Sequence, residues 1–167
     1  MIPITMMMAI TVDGKIAKDS QQFANWTSRE DKQLFVSVSK HHGVIMMGEN
    51  TFNTFPSPLK DRLNVVFTRQ EAPKPIEGVK WVSGDPVLVL EELESLGYSS
   101  ALLGGGSFLN SLFLQNKLIS EIILSVEPKL FGSGLSLFNK DFDVNLKLLE
   151  VEKLNADTLM LRYKVIY

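Results

Sequence analysis

Two glycine-bearing junctions and one acidic segment hold the residue types that could do chemistry in this 167-residue chain. Gly104-Gly105-Gly106-Ser107 follows the apolar stretch Ala101–Leu103 and precedes a helical pattern. Glycines there let a bulky anion approach the backbone, and a helix start offers free N–H groups and a favourable dipole. The run is not the spaced glycine fingerprint of dinucleotide folds, so a tight turn without a ligand fits it too. Met47-Gly48-Glu49-Asn50-Thr51-Phe52 repeats the arrangement, and two such junctions in one sheet could clamp the halves of a dinucleotide. The third constellation is Trp26-Thr27-Ser28-Arg29-Glu30-Asp31, followed by Phe35. An acid in a first helical turn ordinarily just complements the dipole. Flanked by Trp26 and Phe35, it would have its pKa raised and become a proton source, with Glu30 and Asp31 both open to that role.

Other chemistries find little support. There is no cysteine, hence no disulfide, thiol nucleophile or thiolate metal site. That absence also accords with a cytoplasmic location. The two histidines, His41 and His42, sit beside Gly43 at a helix end, where capping is the expected role, and no metal site is predicted. A formal net charge of -2 without a basic cluster gives no support for a nucleic-acid partner. The apolar N-terminal run from Ile2 to Ile10 lacks a positive leader and is far shorter than the roughly 20 residues of a membrane span, so it reads as a buried strand.

These residues need a scaffold, and the hydrophobic pattern supplies one. Short apolar runs suggest strands at Ile4–Ile10, Val44–Met47, Asn64–Phe67, Ala101–Leu103, Glu121–Val126, Leu146–Leu154 and Leu159–Ile166. Helical patterns lie between them: Ser28 capping a helix through Lys40, Asn50 to Phe55, Pro86 to Leu96, and Ser107 to Leu118. The expected fold is α/β, a mostly parallel twisted sheet flanked by helices, in a single domain over residues 1–167. Asn155-Ala156-Asp157 reads as a hairpin turn, which makes the C-terminal strand antiparallel. The apolar face of the last helix is expected in the core, with a dimer face as the alternative; monomer and homodimer both remain open.

In order and spacing these pieces resemble dihydrofolate reductase over nearly the whole chain. The resemblance rests on Met8 to Ala17, Trp26 to Asp31, Met47 to Phe52, Pro58 to Arg69 and Leu103 to Ser107. It implies a dihydrofolate reductase-like fold, NADPH as cofactor, and reduction of 7,8-dihydrofolate at C6 with protonation at N5, as in tetrahydrofolate and one-carbon metabolism. Asp31 falls on the family's active-site acid. Met7, Ala9, Phe35, Arg62, Leu103 and Ser125 fall on substrate positions, with Arg62 matching the cation for the glutamate tail. Ala9, Ile16, Ala17, Gly48, Thr51, Thr68, Arg69, Gly104, Gly105, Gly106, Ser107 and Phe108 fall on cofactor positions, under a mobile loop spanning Lys18 to Asn25.

The same superfamily includes the pyrimidine reductase of riboflavin biosynthesis. Asp13 to Ala17, Glu30-Asp31 and Gly132 to Phe138 look closer to that branch. Two positions favour folate: Gly104, where the riboflavin enzymes typically carry an acid, and Arg62. Glu49, Ser107 and Leu109 depart from the reductase pattern. Glu49 and Ser107 weaken the expected preference for NADPH over NADH, which then rests on Arg69. The expectation is therefore a dihydrofolate reductase; the alternatives are reduction of the ribosylamino-pyrimidine of riboflavin synthesis and a nucleotide-binding protein without chemistry.

Overall fold

A computed structural model describes all residues of the chain except 21, 23, 24 and 72. Its eight-stranded sheet has the order β5-β4-β3-β6-β1-β7-β10-β9, with β1 Ile4–Thr11, β3 Val44–Gly48, β4 Leu63–Phe67, β5 Val79–Val82, β6 Ala101–Leu103, β7 Ile119–Glu127, β9 Asn145–Lys153 and β10 Leu159–Ile166. Strands β5 to β7 in that order pair in parallel, while β10 is antiparallel to both β7 and β9. The fold class expected from the apolar runs is the one observed. A second small sheet pairs β2, Lys15–Ala17, with β8, Leu135–Ser136.

Alternation along the strands divides the core into two layers. Met6, Met46, Leu103, Leu90, Leu93 and Phe113 form one, on the side of α3 (Pro86–Ser95) and α4 (Ser107–Gln115). Met7, Ile45, Met47 and Leu102 form the other, against Phe35 of α1 (Arg29–His42) and Phe52 of α2 (Glu49–Phe52).

Three expectations shift. Helix α2 starts at Glu49 and ends at Phe52 rather than reaching Phe55, because the chain turns through Thr54 and Phe55 ahead of Pro56. Helix α4 stops at Gln115: Lys117 adopts φ 56 and Leu118 N–H donates to the Phe113 carbonyl, freeing Ile119 to begin β7. The α1 terminus is capped by the Gly43 N–H on the Ser39 and Lys40 carbonyls, while His42 Nδ1 instead meets Ser100 Oγ at 2.7 Å. No helix among the described residues is long and apolar enough to cross a membrane.

Candidate active site

Ser28 begins α1 as its N-cap, accepting from the Asp31 N–H at 3.2 Å. This sets the first turn of α1 over the C-terminal halves of β1 and β7. Their register places Ala9 beside Ser125 and Thr11 beside Glu127, with Met160 of β10 on the other side of Ser125. Period-two alternation turns Met7, Ala9, Ser125 and Glu127 toward the α1 side. Asp31 is only 7% exposed. Burial pushes its carboxyl pKa above 3.8; contacts to Ser125 and Thr27 oppose this, and the Glu127 charge adds to it. Among the described residues the buried Ser125 hydroxyl has no well-aligned hydrogen-bond partner, although it lies near enough to Asp31 to favour the ionised form. Phe35 stacks on Phe55 at 6.3 Å, and Trp26 meets Phe131 edge-on at 5.0 Å, so aromatic surface bounds this region.

Asp31, Ser125, Met7, Ala9 and Phe35 are thus brought together. Glu30 is not part of the group: its carboxylate accepts from Asn155 Nδ2, which lowers its pKa. Arg62 lies farther off, its guanidinium bonded to the Lys60 carbonyl and to Ser39 Oγ. Ser39 is eight residues beyond Asp31 on α1, about 12 Å along the helix. Leu103 is not brought to the substrate side; it is fully buried in the α3/α4 layer.

The glycine run follows β6, which lies between β1 and β3. Gly104 N–H donates to the Met46 carbonyl and Gly105 carbonyl accepts from Gly48 N–H, both at 2.8 Å, so the two junctions are locked side by side. The Gly105–Gly106 peptide is cis. Gly105 has φ 89, and a β-carbon there would meet Met8 at 2.9 Å. Gly106 caps α4 with no side chain, leaving its first N–H groups available, and the buried Asn110 Oδ1 nearby has no partner among the described residues. A cradle with this backbone access and donor set fits a phosphate. Thr51 Oγ1 would lie 3.4 Å from a Gly106 β-carbon, at the same junction. Ser107 is committed through its hydroxyl to the Ser136 carbonyl. Thr68 donates to Glu49 at 2.6 Å, while Arg69 lies over the exposed Phe108 ring at 5.1 Å. Ile16 and Ala17 sit in β2, held by β8. The expected mobile loop from Lys18 to Asn25 includes residues 21, 23 and 24, which lie outside the described residues. Among the described residues no group of three or more His, Cys, Asp or Glu could hold a metal.

Two residues of this region are given no role by the sequence reading. Glu127, 2% exposed, accepts from both the N–H and Oγ of Ser28 and from Thr158 Oγ1. Asp13 accepts from Thr11 Oγ1 and from the N–H groups of Phe131 and Gly132, bonds that lower its pKa to about 2, the Thr11 hydroxyl foremost. It ties the β1–β2 turn to the segment leading into β8.

This architecture is the one shared by dihydrofolate reductases and riboflavin-pathway reductases. The chain is similar in structure to *Acinetobacter baumannii* RibD (22% identity, TM-score 0.84), covering all of this chain and 59% of that one. A *Thermotoga maritima* diaminohydroxyphosphoribosylaminopyrimidine deaminase/5-amino-6-(5-phosphoribosylamino)uracil reductase gives 17% and 0.78, over 99% and 57% of the two chains. An *Enterococcus faecalis* dihydrofolate reductase complexed with NADP(H) gives 18% and 0.75, over 98% and 96%. The chain therefore spans under two thirds of the two riboflavin-type proteins. Among curated proteins none matches. Residues 3–160 match the RibD C-terminal domain, and the chain belongs to that family.

This overturns the expectation of dihydrofolate reduction. The two residues that favoured folate have structural explanations. A β-carbon on Gly104 would meet Ile45 Cδ1 at 3.2 Å, so the glycine answers to the packing of β6 on β3. Arg62 is bonded within the protein and does not by itself specify a folate tail.

Proposed function

We propose that the chain is a nicotinamide-dependent reductase of a ribosylamino-pyrimidine, the substrate type in the name of the *Thermotoga* relative. The observation that carries this is the buried Asp31 acid over β1 and β7, one strand away from the glycine cradle after β6. A dinucleotide laid across these strand ends would have its phosphates at Gly104, Gly105, Gly106 and the start of α4. Its nicotinamide would then lie near Ala9, Ile16 and Ala17. Gly48, Thr51, Thr68, Ser107, Arg69 and Phe108 are the remaining residues assigned to it, and the resemblance makes NADPH the expected form.

When bound, the reduced nicotinamide supplies a hydride. A ribosylamine accepts a hydride at its anomeric carbon as the ring C–O bond breaks, and the released ring oxygen then takes a proton. Asp31 in its acid form is the proton source, and burial favours that form. Ser125 and Thr27 orient its carboxyl, while Met7 and Phe35 exclude water.

The test is steady-state oxidation of NADPH by the purified chain with 5-amino-6-(5-phosphoribosylamino)uracil. Saturable, substrate-dependent oxidation is expected; its absence would refute the proposal.

A further inference from the structure

Glu127 has no assigned role in hydride or proton transfer, yet it is among the most buried charged groups of the chain. Its three hydrogen bonds come from neutral donors: Ser28 N–H at 2.9 Å and Ser28 Oγ at 2.8 Å on one oxygen, Thr158 Oγ1 at 3.2 Å on the other. Ser28 in turn accepts from the Asp31 N–H. The chain of contacts Glu127–Ser28–Asp31 therefore fixes the first turn of α1 to the end of β7, with Thr158 fixing the turn before β10.

A neutral amide could accept the two Ser28 bonds equally well. Among the described residues only neutral donors bond this carboxyl, and burying an acid group is expensive, so anchoring alone does not account for an acid here. Charged groups near it on the surrounding elements include Arg29, Glu30 and Lys32 of α1, Asp13 bonded to its register partner Thr11, Lys129 after β7, and Asp157 before β10. Lys32, the cation that acts on Asp31, is exposed and bonded to Thr27. Within the buried region, the Glu127 charge acts on Asp31.

We infer that Glu127 is the positioning residue of this site: through Ser28 it pins the turn that carries Asp31, and it sets a second buried carboxylate at that same turn. The inference rests on Asp31 being the acid of the proposed reaction.

The experiment compares wild type, Glu127→Gln and Glu127→Ala by two readouts. The first needs no substrate: the pH dependence of unfolding free energy, each with and without Asp31→Asn, which isolates the Asp31 titration. The second is the pH profile of kcat. In Glu127→Gln, which keeps the Ser28 acceptor, the Asp31 titration and the alkaline limb of kcat should both move to lower pH. At pH 7, kcat should fall about tenfold with KM changed less than twofold. Glu127→Ala should add a loss of stability that Glu127→Gln largely avoids. An unmoved Asp31 titration in Glu127→Gln would overturn the inference whatever the activity. A moved titration in a protein that never reduces the pyrimidine would support the coupling and refute the proposed reaction instead.

Discussion

Gly134 packs so closely on Ala17 that a β-carbon on the glycine would overlap the Ala17 carbonyl oxygen. This contact clamps β8 onto β2, and β2 carries the two residues assigned to the nicotinamide end of the cofactor. Gly134 also has φ 143, where side chains are strained. Gly134→Ala should destabilise the chain by about 2 kcal/mol. Amide exchange is expected to quicken at Ile16 and Ala17 while β3 and β6 stay protected, and urea melts check the loss.

Asp31→Asn separates chemistry from stability. Loss of a positioned acid should lower kcat by roughly 10²–10⁴-fold. Because burial raises the folded pKa above 3.8, the native state holds the proton more tightly than the unfolded chain. The charged form is therefore a penalty on folding that grows as pH rises from 3.8 through the raised value. The variant should outlast wild type in urea at pH 7, and the difference should vanish below pH 3.8.

Asp13 has the opposite sign. Its pKa of about 2 means that its bonds to Thr11, Phe131 and Gly132 stabilise the fold above pH 3.8 and are lost as pH falls toward 2. Asp13→Asn should move the acid-unfolding midpoint to higher pH, followed by circular dichroism.

Gly105→Ala tests the cradle. The side chain must enter at φ 89 and displace the end of Met8, a strain of about 1–2 kcal/mol. Dinucleotide binding, measured by calorimetry, should weaken at least tenfold while the sheet remains intact.

The parts legible in sequence are those whose causes are local. Ser28 as a cap, Asp31 three residues on, and the apolar runs of β1, β3 and β6 each declare themselves within a few positions. Glu127 could not be found that way, because its partner Ser28 lies 99 positions earlier and meets it only through the tertiary docking of the start of α1 on the end of β7. Asp13 and Gly132 are 119 positions apart for the same reason. The short strands β2 and β8 have too few residues to show a period, and β5, Val79–Val82, mixes Lys80 and Trp81 into a pattern that alternation does not resolve. Gly104 misled the choice of substrate, since one glycine records packing against Ile45 as readily as it records a family. Leu103 followed the resemblance into the substrate group, although the strand's alternation sends it to the opposite layer.

The proposed reaction delivers a hydride to the sugar carbon of a ribosylamino-pyrimidine beside Asp31. Incubation with reduced nicotinamide dinucleotide deuterated at C4, followed by mass spectrometry of the pyrimidine product, tests it directly. The expected product is the ribityl compound with one deuterium on the former anomeric carbon, formed at a strongly reduced rate by Asp31→Asn. A product without that deuterium, or no product at all from folded protein, would contradict the account.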